Sequence, residues 1–128
     1  MNIASRQAFL TAEGKKLAGA KVALKEEWGS MAFTVGDKLF ALMGENKDGK
    51  EIITVKGLPE DNERLREDFH SVTYGYYMNK THWISIDLST TELEDGHILV
   101  LLKKSYHLIV EKLPKKIQQE LQNTKEMN

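Results

Sequence analysis

Three short alternating segments in succession do most to limit what this chain can fold into. Met31-Ala-Phe-Thr-Val35 alternates apolar with small or polar residues, as a half-buried strand does, and Lys38 to Met43 follows it. Gly36-Asp37 between them is a two-residue loop whose leading glycine suits a type II′ hairpin turn. Asp48-Gly49 marks a second turn ahead of Ile52-Ile-Thr-Val-Lys56. The pattern predicts an antiparallel meander of three strands.

Helical signals flank the meander. Ile3, Leu10 and Leu17 recur at heptad spacing beside Phe9 and predict an amphipathic helix over 3–17, weakened by Gly14 and ended by Ala18-Gly19-Ala20. Pro59 opens a second helix, with Glu60 and Asp61 at its positive end and Leu65 and Phe69 as its apolar pair. Val72 to Met78 predicts a strand, Asn79-Lys80-Thr81 a turn, and His82 to Leu88 a further strand. Thr91 and Glu94 have capping-box spacing for a helix running to Leu113. Pro114 ends it, and Lys115 to Gln122 fits a last short helix using Ile117 and Leu121. The expected order is α-βββ-α-ββ-α-α, an α+β fold with an antiparallel five-stranded sheet and helices packed on one face. No repeat or Pro/Ser-rich linker divides residues 1–128, which read as a single domain.

Strand alternation also assigns faces. Ile84, Ile86 and Leu88 point to the core, so Trp83, Ser85 and Asp87 point away. Ile53 and Val55 are a core pair, leaving Ile52, Thr54 and Lys56 outward. Carried through the hairpin, the same count puts Met31, Phe33, Phe40 and Leu42 inside, and Ala32, Thr34, Leu39, Ala41 and Met43 outside. An outward Trp83 beside Lys56 on an open sheet face is the least ordinary feature of the pattern. The alternative is that the segment around Trp28 covers it.

Charge and composition narrow the function classes. Lys and Arg number 18 against 19 Asp and Glu, a formal net charge of -1, which argues against indiscriminate coating of phosphate backbone. The charge nevertheless comes in blocks, acidic over 44–70 and 84–100 and basic over 101–128. Cysteine is absent, which removes disulfides, thiolate nucleophiles and thiolate metal sites. The longest apolar run, Ile98 to Leu102, is far short of the ~20 residues that span a bilayer. Residues 1–10 lack a signal-peptide core, so a cytoplasmic protein with no membrane partner is expected. His70, His82, His97 and His107 show no metal-ligand spacing, and no phosphate-cradling loop or nucleophile elbow is present. Neither catalysis nor a cofactor is expected.

Four blocks carry a family resemblance: Val35-Gly-Asp-Lys-Leu-Phe-Ala-Leu42; Val55-Lys56 ahead of Pro59-Glu60; Gly75-Tyr-Tyr-Met-Asn-Lys-Thr-His-Trp83; and Ser105-Tyr106 before Leu113-Pro114. With Leu17-Ala-Gly-Ala20 at the end of the first helix, they resemble the MmcQ/YjbR family over nearly the whole chain. The Asn-Lys-x-His-Trp block is the most specific piece. The resemblance implies a frataxin-like (CyaY-like) fold and a bacterial DNA-binding protein with a double-wing motif. Ala18 stands where that family usually has Pro, Tyr77 where it commonly has His, and Asp37 where it has Gly. The acidic first helix through which frataxins bind iron does not carry over, because Glu13 is the only acid over 3–17.

Nucleic acid needs cations for phosphate and flat side chains for bases. Lys56, Asn79, Lys80, His82, Trp83 and Tyr76 are the residues expected to supply them, from the open sheet face and the Asn-Lys-x-His-Trp turn. The other class is a protein-interaction module of frataxin-like fold, anchored by Trp83 and binding no nucleic acid. A monomer is expected in either case.

Overall fold

A computed structural model describes residues 2–76 and 78–127, so Tyr77 lies outside the described residues. It is an α+β fold: α1 (Ile3–Lys15), β1 (Lys21–Lys25), β2 (Ser30–Val35), β3 (Lys38–Glu45), β4 (Glu51–Lys56), α2 (Pro59–Asp68), β5 (Val72–Tyr74), β6 (Trp83–Asp87), α3 (Asp95–Val110) and α4 (Lys115–Met127). The strands form one antiparallel sheet in the order β1-β2-β3-β4-β6-β5. Among the described residues the sheet thus has six strands where the alternation predicted five. The additional strand is β1, a mostly exposed edge segment with lysine at both ends, and such an edge carries little apolar periodicity.

The hairpin between β2 and β3 differs from expectation in two ways. Gly36 and Asp37 both have positive φ, 55° and 64°, so the turn is type I′ rather than II′, with Asp37 taking a left-handed conformation that Asp tolerates. Phe33 then pairs with Ala41 while Thr34 pairs with Leu39, so Phe40 is an extra residue, a β-bulge. Phe40 and Ala41 both face the core, and the alternation of β3 reverses from there. Ala41 and Met43 are therefore buried in the core and Leu42 lies on the opposite face, the reverse of the simple count.

The core lies between the sheet and α1 and α3. Phe33, Phe40 and Tyr106 stack edge to face, with centroids 5.9 Å and 5.4 Å apart, around Leu10, Ile53, Ile84, Ile98 and Leu102. Asn2 caps α1 by accepting from the Ser5 N–H at 2.8 Å. Gly14 brings that helix onto the sheet, since a Cβ there would sit 2.6 Å from the Phe33 ring. Leu17, predicted inside the helix, lies past its end.

The anticipated capping box does not form. Glu94 occupies the N-cap of α3 without a side-chain bond, because the preceding loop wraps around Arg6 instead. Arg6 is 2% exposed and donates to Asp95 Oδ1 at 2.6 Å and to the carbonyls of Leu88, Thr90 and Leu93. A buried guanidinium is tolerable only with such partners.

Candidate functional site

The loop from β5 to β6 holds most of the residues singled out for binding. After Tyr74 the chain leaves the sheet edge, and the Tyr76 N–H donates to Ser85 Oγ at 2.9 Å on the outward face. Ser85 also shares a 2.7 Å hydrogen bond with Thr54 Oγ1, so the loop is pinned back across β4 and β6. Asn79 Oδ1 accepts from the N–H groups of Thr81 and His82, at 2.8 Å and 3.0 Å. That carboxamide oxygen is spent on the turn and does not face a ligand. Asn62 anchors the loop from behind: it is buried, and its Nδ2 donates to Gly57 O and Thr81 O, each at 3.1 Å.

Trp83 is the main correction. It is the register partner of Lys56, as the alternation implied, but only 9% of it is exposed. Gly75 lies directly against it, with the Gly75 N–H donating to Trp83 O at 2.9 Å and a Cβ at Gly75 falling 2.5 Å from Trp83 Cβ. Trp83 is thus unavailable as a stacking platform or as an interface anchor. The Trp28 segment is not what buries it, for Trp28 sits beyond the opposite end of the strands and is 57% exposed. Of the remaining candidates, Tyr76 and Lys56 are half-buried, and Asn79, Lys80 and His82 are exposed.

Register converts the linear charge blocks into two ends of the sheet. Lys21 opens β1, Lys38 opens β3, Lys56 closes β4, and Lys80 and His82 precede β6, all at one end. Lys112, just past α3, acts on Lys56 there, with Asp37, Glu60 and Asp61 as acids at that end. Glu26, Glu27, Glu45, Glu51, Asp87 and Asp95 gather at the other, with Lys25, Lys47 and Lys50 as bases at that end. The Lys56 ammonium is held below its ordinary value of 10.5, first by burial and then by the Lys112 charge. Among the described residues no carboxylate pairs with it.

Two hollows flank these features. One, of about 610 Å³, separates α2 from α3, with Val55, Leu65, Phe69, Ile84 and Leu101 inside and Lys56, Arg64, Lys104 and His107 among its polar lining. The other, of about 460 Å³, lies on the sheet face opposite α1 and α3.

Arg6, Asn62 and Ser105 were not singled out as key residues, although each had a local signal. Arg6 lies on the helix face of Ile3 and Leu10, and Asn62 on that of Leu65 and Phe69. Polar groups at such positions are mostly buried with partners; Arg6 follows this, and Asn62 does so through its Nδ2, while its Oδ1 accepts no hydrogen bond among the described residues. Ser105 stood in a family-like block.

Comparison with known proteins agrees with this architecture. Residues 16–108 match the family model YjbR. The chain is 31% identical over 96 residues to the uncharacterized protein YjbR of Escherichia coli (strain K12), covering 75% of this chain and 80% of that one. It is 33% identical over 86 residues to the uncharacterized protein YbdF of Escherichia coli O157:H7, covering 67% and 69% respectively. In three dimensions it is similar to the crystal structure of Deinococcus radiodurans protein DR2400, of domain type DUF419, with a TM-score of 0.79 and 26% identity over 90% of this chain and 86% of that one. Among the described residues no helix is long and apolar enough to cross a membrane.

Proposed function

The chain belongs to the YjbR family, and from that premise we propose that it is a non-enzymatic cytoplasmic domain that binds DNA through the basic end of its sheet. A CyaY-like relation of the fold is part of the same reading, supported by the helices packed on one face of an antiparallel meander.

The observation that carries the proposal is the grouping of Lys38, Lys56, Lys80, His82 and Lys112 at one sheet end, with Lys56 beside Lys112 and unpaired with any described carboxylate. Two ammoniums close enough to repel one another are relieved by an anion, and a phosphate backbone supplies one every few ångströms. The contacts are to the backbone. Asn79 Oδ1 and the Trp83 ring, the groups expected to read bases, are occupied or buried.

Fluorescence anisotropy of labelled duplex and single-stranded DNA, at low and physiological salt, tests the reading. Lys56→Gln, Lys80→Gln and Lys112→Gln are each expected to weaken binding and to lower the salt slope by about one. Absence of binding at physiological salt, or a triple variant that binds like the parent, overturns it.

A further inference from the structure

The face of the sheet away from α1 and α3 carries a second feature, a hollow that runs from the acidic end to the β5–β6 loop. Register puts Leu42 beside Thr54 and Gly44 beside Ile52, with Leu39 completing an apolar floor. The floor is low at Gly44 because that residue has no side chain, and a Cβ there would meet Ser30 Oγ at 2.4 Å. Tyr76 and Met78 from the β5–β6 loop and Trp28 from the β1–β2 turn wall the hollow, which encloses about 460 Å³. That size suits a small organic molecule.

Glu27 and Glu45 also line this hollow. Both are exposed, and neither side chain has a hydrogen-bond or ion-pair partner among the described residues. Asp87, the register partner of Ile52, adds charge of the same sign on this face, while Lys25 beside Ser30 opposes it; Glu27 and Glu45 are the charged residues that line the hollow itself. Two acidic residues and Trp28 around a floor of Leu39, Leu42 and Ile52 make an environment with a definite preference. An anion is repelled, a neutral apolar body gains only burial, and a cation on an apolar body gains burial, Coulomb attraction and the ring quadrupole together.

We propose that this hollow is a binding site for an organic cation, an ammonium or guanidinium carried on an apolar body. The charge sits between Glu27, Glu45 and Trp28, and the body lies along Leu39, Leu42, Ile52 and Met78. The hollow shares the β5–β6 loop with the basic end, but none of the lysines proposed to bind DNA lines it, so substitutions of Glu27 and Glu45 test it separately from DNA binding.

The test is an NMR titration of the full chain, following the Trp28 indole N–H and the Gly44 amide. The probes are 4-phenylbutylamine, its neutral and anionic counterparts 4-phenylbutanol and 4-phenylbutyrate, and a capped Leu-Arg-Leu tripeptide. The amine is expected to bind about tenfold more tightly than the alcohol, and the carboxylate most weakly. Glu27→Gln with Glu45→Gln removes the preference for the amine and leaves alcohol binding unchanged, and Trp28→Ala weakens the amine. Tighter binding of the tripeptide than of the amine supports the same recognition with a protein chain as its source, and the reverse order supports it with a free amine. Equal binding of amine and alcohol, or an amine affinity that none of the substitutions moves, overturns the proposal.

Discussion

The Ser105 hydroxyl lies 2.6 Å from the Phe40 carbonyl oxygen and donates to it, while accepting the Lys56 N–H at 2.8 Å. One fully buried side chain thereby satisfies the carbonyl that the β3 bulge releases and ties α3 to the end of β4. Ser105→Ala leaves both backbone groups without partners away from water. The expected loss is about 3 kcal/mol in urea denaturation, with faster hydrogen exchange at the Lys56 amide.

Arg6 donates to the carboxylate at the start of α3 and to three carbonyls of the loop before it. Arg6→Leu takes the donor from the three loop carbonyls and is expected to cost about 3 kcal/mol or more. Asp95→Asn costs less, because that side chain is 33% exposed and the three carbonyls keep their donor. Equilibrium unfolding of the two variants checks the order.

Gly14→Ala tests close packing against helix propensity. Alanine favours a helix interior by about 1 kcal/mol over glycine. Here its methyl group would lie 2.6 Å from the wholly buried Phe33 ring, and overpacking of this kind costs about 1–3 kcal/mol. A net loss of stability is expected, partly recovered by Phe33→Leu in the same chain, and a double-mutant cycle measures the coupling.

Two groups give the stability opposite slopes at the two ends of the pH scale. Glu92 accepts the N–H groups of Ser71 and His70, and the Ser71 backbone bond above all holds its carboxyl below the ordinary 4.5. The unfolded chain therefore takes up this proton first, so the contribution is complete above pH 4.5 and disappears as the pH falls through the lowered folded value. The Tm gap between the parent and Glu92→Gln should narrow on acidification.

Burial raises the Tyr106 phenol above its ordinary 10.0, and its hydroxyl donates to Ala18 O at 2.5 Å. The unfolded chain ionises first, and stability falls as the pH rises beyond 10.0. Tyr106→Phe costs about 1 kcal/mol near neutrality and should remove this alkaline decline. Thermal unfolding across the alkaline range checks both effects.

Legibility in the sequence followed local regularity. Ile53, Val55, Ile84 and Ile86 were assigned inward correctly because β4 and β6 keep an unbroken period of two. The count failed in β3, where Phe40-Ala-Leu-Met43 is apolar throughout and an inserted residue leaves no mark on the pattern. β1 was invisible because an exposed edge strand needs no apolar stripe. For the candidate site, the positions of Lys56, Asn79 and Lys80 at a strand end and its neighbouring turn were readable. The burial of Trp83 was not, since it follows the path of a loop pinned by Ser85, a hydrogen bond between segments that no periodicity encodes. The basic end of the sheet required the register of β4 against β6 before scattered lysines became neighbours.

The Arg6–Asp95 bond joins residues 89 positions apart, which has a consequence for a chain as it is made. At synthesis rates of about 5–20 residues per second, the guanidinium leaves the ribosome seconds before its carbonyl partners exist. α1 cannot bury its inner face during that interval without stranding a charge, so it must wait. Its docking is therefore expected late in folding, with α1 of a nascent chain halted before Leu93 open to proteolysis as the outcome that checks it.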